Sequence, residues 1–268
     1  MPQNELQKNA DRFTGFADIY DRARPSVPEY PAKVVAAYLG RRPETVVDLG
    51  CGTGLSTLVW KGRCDRVIGV EPSADMLAVA RQKADETVCF QQGFGNDTGL
   101  PSDFADAVVC SQSFHWMEPM STLREADRIL KGGGVFVTVD CDWPPVATWQ
   151  AEQAYMQFYN AAKALEKSLP DVKSSFVRYP KEKHLQNMQN SGLFCYCREI
   201  VFANTERCNA QRLIDLMQSQ GSVQTVLKLH PEQIKAELEM FSQKMRDLLG
   251  EREFDIDFCY RMRIGVKK

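Results

Sequence analysis

The stretch Val46-Val47-Asp48-Leu49-Gly50-Cys51-Gly52-Thr53-Gly54 constrains this chain more than any other. Val46 and Val47 are β-branched and suit a parallel strand covered on both faces. Glycines then follow at alternate positions, so the strand must end in a turn that takes positive φ and admits a ligand close to its backbone. From about Leu55 the residues read as a helix. Its start turns unpaired N–H groups, and the positive end of the helix dipole, back toward the glycines. Strand, glycine turn and helix in that order place a nucleotide-like ligand at the carboxyl end of the first strand. The spacing is not the dinucleotide fingerprint G-x-G-x-x-G, because position 55 is Leu.

Composition narrows the class. The chain has 268 residues, 44% hydrophobic and 25% charged, with net charge −2. That is a globular composition, long enough for one large domain with an insertion. No apolar run approaches the length of about eighteen residues needed to span a membrane. Met1-Pro2-Gln3-Asn4-Glu5 lacks the basic and apolar regions of a secretory signal. The nine cysteines are odd in number, scattered and without a C-x-x-C pair, which suits reduced thiols and a cytoplasmic location. With three widely separated histidines, no metal site is expected. The slightly acidic balance, without a basic run, argues against a nucleic-acid partner.

Strand and helix signals alternate after the glycine turn. Before it, Pro28 to Gly40 reads as a helix with a Val34, Val35, Tyr38, Leu39 stripe. Arg66 to Glu71 reads as the second strand and ends in an acid, where a carboxylate can accept from both hydroxyls of a ribose. Ala74 to Ala84 is a helix with Met76, Leu77 and Ala80 facing inward. Val88-Cys89-Phe90 is a third strand and Asp106 to Ser111 a fourth, followed by Gln112-Ser113-Phe114-His115-Trp116. A helix from Pro119 to Leu130 leads through Lys131-Gly132-Gly133-Gly134 into a fifth strand ending at Val139. Cys141 to Pro145 is a loop rich in breakers, after which Trp149, Tyr155, Phe158 and Tyr159 recur at helical spacing. Phe194 to Phe202 reads as a strand, Ala210 to Gln220 and Pro231 to Leu249 as helices, and Phe254 to Val266 as a last strand of alternating polarity. At the amino end, Asp11 to Ala23 can form a helix with Phe13, Phe16 and Tyr20 on one face, which is either packed or a lid.

D-x-G-x-G-x-G, followed by Glu71, by S-Q-S-F-H-W and by L-K-G-G-G, resembles the class I S-adenosylmethionine-dependent methyltransferases. The resemblance is specific over about residues 12–141 and looser over 195–268. Among members that can be named, it points to the small-molecule branch that includes trans-aconitate methyltransferases. It implies an α/β fold: a Rossmann-like, doubly wound seven-stranded sheet, mostly parallel with an antiparallel last strand. One domain would divide into an N-terminal lid (1–27), a cofactor-binding half (28–141), an acceptor-side helical insertion (142–194) and C-terminal strands and helices (195–268). S-adenosyl-L-methionine would be the cofactor and a small molecule the methyl acceptor. The cofactor would lie along Asp48, Gly50, Cys51, Gly52, Thr53 and Gly54, Asp48 either ordering the glycine turn or receiving the methionine ammonium through water, with Glu71, Pro72 and Met76 at the ribose side. Ser111 and Gln112 would border it after the fourth strand, and Tyr20 and Arg24 would reach its methionine part from the lid.

The family's G-D-A-E-x-L-P segment is altered here. Gly93 and Leu100-Pro101 remain, Phe94 and Gly95 replace the acid and the alanine, and two residues are inserted. Adenine would then be met by the Gly95 N–H together with Asn96 or Asp97. If the acceptor must lose a proton, His115 is the leading general base and Tyr20 the second; the bland reading is that His115 and Trp116 pack beneath the next helix. Two other readings are a non-catalytic S-adenosylmethionine-binding protein and a nicotinamide-dependent oxidoreductase. The missing third fingerprint glycine speaks against the latter.

Overall fold

A computed structural model describes residues 7–10, 21, 23–25 and 27–268. The Tyr20, Phe13 and Phe16 expectations lie outside the described residues. Thr45–Leu49 forms β1, Arg66–Glu71 β2, Val88–Gln92 β3, Ala105–Ser111 β4 and Leu130–Cys141 β5. Phe194–Cys208 is β6 and Phe254–Lys267 is β7. The sheet order is β3-β2-β1-β4-β5-β7-β6. β1 to β5 pair in parallel, and β7 lies antiparallel between β5 and β6. The chain winds outward from β1 to β3, then returns to place β4 on the other side of β1. That reversal opens a crevice at the carboxyl ends of β1 and β4.

Alternation along the strands assigns each face its own core. Val46, Val67, Val109, Val135 and Val137 pack in one cluster, while Val47, Ile68, Val108 and Phe136 pack in the other. Helix α1 (Tyr30–Leu39) covers the first face with Val34 and Val35 and stops at Gly40, whose φ of 68° is left-handed. The short α2 (Leu55–Leu58) follows the glycine turn, and α3 (Ala74–Arg81) buries Met76, Leu77 and Ala80. α3 ends before the expected Ala84. On the second face, α4 (Pro119–Ile129) buries Leu123, Ala126 and Ile129. Its first turn is capped by the Glu118 carboxylate, which accepts from the Met120 and Ser121 N–H groups.

The connections beside β6 build a helical layer. α5 (Trp149–Ser168), α6 (Pro170–Ser174) and α7 (His184–Asn190) precede β6. α8 (Ala210–Gln218), α9 (Gly221–Leu229) and α10 (Lys235–Leu249) follow it. α5 packs against both α9 and α10, so residues from two separate loops share one core. Tyr155 of α5 is fully buried between Trp143 and Phe241, and Phe158 stacks on Phe241 at 5.3 Å. Trp149 is 69% exposed and takes no part in that core. β6 continues past Phe202 to Cys208 because β7 pairs with it along its whole length, from Phe194↔Lys267 to Cys208↔Phe254.

Candidate functional site

A cavity of about 510 Å³ opens at the carboxyl ends of β1, β2, β4 and β5. The glycine turn forms its floor. A side chain at Gly50 would meet Ser113 Cβ at 2.7 Å, and one at Gly54 would meet Phe90 Cζ at 2.8 Å. Those two glycines serve packing. Gly52, at φ 58°, has nothing within 4 Å of its missing Cβ and lies on the cavity wall, so of the glycines at 50, 52 and 54 it leaves the most open space before its backbone. Cys51 and Thr53 line the wall beside it, as do Pro72 and Met76.

Asp48 does not line the cavity. It is fully buried under α2, and its Oδ2 accepts from Ser56 Oγ at 2.6 Å and Thr57 Oγ1 at 2.8 Å. It therefore orders the turn from behind, and burial raises its carboxyl to about 6 despite those hydroxyls. Gly54 and Gly93 also stand behind the wall, against Phe90 and Val70. Glu71 is on the wall. Its Oε2 accepts from the Gly52 N–H and its Oε1 from the Ser73 N–H, each at 2.9 Å. Burial pushes its carboxyl up to about 7, against the pull of those two amides. Each oxygen keeps a lone pair for a further donor.

On the next side, a tight turn presents Asn96. Phe94 and Asp97 exchange backbone hydrogen bonds at 3.2 and 3.1 Å. Phe94, Gly95 and Asn96 line the cavity, and Asn96 Oδ1 is buried without a hydrogen-bond partner. Asp97, the other candidate for this place, is exposed. The loop is anchored by Thr98, whose N–H and Oγ1 both donate to Glu125 Oε1. Glu125 also takes two hydrogen bonds from Arg128; burial works to raise its carboxyl, and Arg128 and Thr98 together pull it down to about 2.

The opposite wall follows β4. Ser111 and Gln112 line it, with Gln112 held at the left-handed φ of 55° and its side-chain Oε1 accepting from Lys181 Nζ at 2.6 Å. His115 sits on the 3₁₀ turn Phe114–Trp116 and is 7% exposed. Burial, and then the Lys181 ammonium, hold its imidazole well below the usual range, so it is neutral near pH 7. Asn9 ties the amino end onto this wall: its Nδ2 donates to the Trp116 and Val177 carbonyls, and its Oδ1 accepts the Val177 N–H. Arg24 lines the cavity, where its guanidinium donates to the Ser219 carbonyl at 2.7 Å and lies over the Trp143 ring.

The structure adds residues that the sequence reading passed over. Ser219 and Gln220, from the α8–α9 turn, close one end of the cavity. Asp140, buried in β5, gathers His184 Nδ1 at 3.0 Å, Arg263 Nη1 at 2.7 Å and Lys181 Nζ at 3.1 Å. An acid directly after Val-Phe-Val-Thr-Val was the available signal for it. The polar atoms of wall residues that are buried without partners include Thr53 Oγ1, Asn96 Oδ1, Ser111 Oγ and Gln112 Nε2. Unpaired buried polar groups on a cavity wall fit a polar ligand that supplies their hydrogen bonds. Among the described residues, no group of three or more His, Cys, Asp or Glu is placed to hold a metal ion, and no helix is long and apolar enough to cross a membrane.

Comparison with known proteins agrees with this arrangement. A family model described as a methyltransferase domain matches residues 47–138, from β1 into β5. An uncharacterized methyltransferase of Mycobacterium tuberculosis is 35% identical over 122 residues, which are 46% of this chain and 49% of that protein. The match thus spans about half the length of such curated relatives. An uncharacterized methyltransferase of Schizosaccharomyces pombe is 24% identical over 84% of both chains. A solved structure from Anaeromyxobacter dehalogenans, assigned as a type II methyltransferase, superposes with a TM-score of 0.69 at 19% identity, covering 91% of this chain and 97% of that one. None of these matches points to the trans-aconitate branch. Residues 47–138 thus match a methyltransferase domain, and the chain shares the fold of a solved methyltransferase along almost its whole length.

Proposed function

We propose that the chain transfers a methyl group from S-adenosylmethionine to a small-molecule acceptor by in-line displacement at the methyl carbon. The observation that carries this reading is the cavity in front of Gly52 and Glu71, with its unpartnered polar atoms on Thr53, Asn96, Ser111 and Gln112. Bound there, the cofactor would supply a methyl group already activated on a sulfonium. Glu71 would accept the ribose hydroxyls on the lone pairs that Gly52 and Ser73 leave available. Asn96 Oδ1 would accept the adenine amine in place of the family's acid. Ser111 and Gln112 border the methionine end, and His115 would receive a proton from the acceptor.

The main contribution of such a site is alignment, because nucleophile, methyl and sulfur must lie on one line. The helical layer from residues 142–194 and 209–253 would hold the acceptor, and the amino-terminal segment, fixed through Asn9, would close the side near His115. All nine cysteines are free, which together with the slightly acidic charge fits a cytoplasmic enzyme acting on a small molecule rather than on nucleic acid.

Calorimetry with S-adenosylhomocysteine and with NAD tests the cofactor. The first should bind and the second should not, and Gly52→Val should abolish binding in a folded protein. Preference for NAD, or unchanged affinity in Gly52→Val, would overturn the reading. Mass spectrometry of molecules retained on purification would then identify the acceptor.

A further inference from the structure

We propose that Asp140 positions His115 for proton transfer: its Oδ1 receives the Nδ1 proton of the ring, which leaves Nε2 as the nitrogen that takes the acceptor's proton. The inference rests on the methyltransferase reading for its reaction. Its geometry rests on the two unlike sides of the Asp140 carboxylate.

Oδ2 is held by fixed partners. Arg263 of β7 donates to it at 2.7 Å, and His184 Nδ1 lies at 3.0 Å. Arg263 is itself anchored by Glu199 Oε2 at 2.8 Å, and the ion pairs continue from Glu199 through Arg261 to Asp142. Oδ1 has different neighbours. Lys181 Nζ approaches it at 3.1 Å and His115 Nδ1 at 3.8 Å, and both of those residues line the cavity. One oxygen therefore ties the sheet together, while the other faces the site.

His115 Nδ1 is buried and has no hydrogen-bond partner. Asp140 Oδ1 is the carboxylate oxygen in reach, and a shift of about 1 Å brings the pair to hydrogen-bonding distance. Catalytic hydrogen bonds are commonly long before ligands bind. Of the charged groups around the ring, Asp140 is the one that favours a proton on it, whereas Lys181, Arg178 and His184 oppose it. Arg263 and Lys181 already pair with Asp140, and among the described residues its Oδ1, 3.8 Å from Nδ1, is the negative charge placed to meet a proton arriving on His115. The remaining groups that face the ring are Arg178, paired with Glu166 at 2.9 Å, and His184.

In the step itself, the acceptor's heteroatom forms a bond to the methyl carbon as its own bond to hydrogen breaks. The proton passes to His115 Nε2, the carbon–sulfur electron pair stays on sulfur, and the imidazolium later returns the proton to water. Asp140 touches none of the reacting atoms. It fixes the tautomer and stabilises the charge that forms on the ring.

Nitrogen NMR of the imidazoles, in protein saturated with S-adenosylhomocysteine, tests this without an acceptor; the His115 signals are assigned by their loss in His115→Gln. The wild type should show neutral His115 with the proton on Nδ1. Asp140→Asn offers an amide donor in place of the acceptor oxygen, so the proton should move to Nε2. Lys181→Met removes the competing cation from a half-exposed position, and should raise the His115 titration by about one pH unit or more. An Nε2 proton in the wild type, or an unchanged tautomer in folded Asp140→Asn, would overturn the pairing. Should Asp140→Asn fail to fold, an unmoved titration in Lys181→Met would do so. Failure of the wild type to bind S-adenosylhomocysteine would instead refute the methyltransferase reading itself.

Discussion

Glu71 is the residue on which ligand affinity and pH meet. Its carboxyl is raised from 4.5 to about 7 by burial, although two backbone N–H groups stabilise the charged form. In the proposed binding mode ribose hydroxyls donate to the carboxylate, so protonation of Glu71 would compete with binding. Affinity for S-adenosylhomocysteine should therefore be level at alkaline pH and weaken below pH about 7, approaching tenfold per pH unit. Glu71→Gln should flatten that profile and cost about 1–3 kcal/mol of binding at alkaline pH. Calorimetry across this pH range decides it, and a sloping profile in the variant would assign the titration to another group. The same raised values act on folding. Glu71 and Asp48 each bind their proton more tightly when folded, so their contributions to stability are full below their unfolded values of 4.5 and 3.8. Those contributions are lost as pH rises through about 7 and about 6, respectively. Denaturant unfolding of the ligand-free protein should show Glu71→Gln gaining relative to wild type between pH 5 and 8. Both acids were legible in the sequence, because each closes or punctuates a β-branched strand. Which one faces the ligand was not legible. That depends on the hydroxyls of Ser56 and Thr57, which claim Asp48 from behind.

At the scale of the element, the turn after β3 shows where motif reading runs out. The family's acid is absent, and the insertion leaves Gly95, Asn96 and Asp97 as alternatives that spacing cannot separate. The exchange of backbone hydrogen bonds between Phe94 and Asp97 settles the geometry: Asn96 comes to the wall and Asp97 points to solvent. Asn96→Ala should weaken S-adenosylhomocysteine binding by about 1–2 kcal/mol. It should leave a hypoxanthine analogue, which lacks the amine, almost unaffected. Equal losses for both ligands would show that Asn96 supports the turn and does not read the base. The anchor of this turn is remote in sequence, since Glu125 on α4 holds Thr98 and Arg128 together. Glu125→Gln should thus loosen residues 93–101 and reduce affinity without touching the ligand, and amide exchange of those residues will register it.

For the molecule as a whole, the division between legible and illegible follows contact range. The five parallel strands and the glycine turn declare themselves through local pattern, and their order through the alternation with helices. The helical layer declares only part of its helices, leaving α6, α7 and α9 unread, and does not declare their assembly. Periodicity gave Ala210 to Gln220 and Pro231 to Leu249, yet nothing local says that α9 and α10 dock on α5 across the long strand β6. Consequently Ser219 and Gln220 were not seen as wall residues. The amino-terminal contact is of the same kind. Asn9 stands 107 residues from Trp116 and 168 from Val177, and it bonds to both. It couples the start of the chain to the turn that carries His115, because the Tyr179 N–H in turn donates to the His115 carbonyl. Asn9→Ala would strand the Trp116 carbonyl and both backbone groups of Val177 in a largely buried place, at a cost of about 1–3 kcal/mol. Asn9→Asp keeps the acceptor for the Val177 N–H but loses both donated bonds, so it should recover only part of that stability. If the contact also sets the His115 wall, amide exchange at Val177 and Tyr179 should quicken in Asn9→Ala and slow in the wild type when S-adenosylhomocysteine binds. Lost stability with unchanged exchange at those two amides would confine Asn9 to fastening the amino end, without influence on the site.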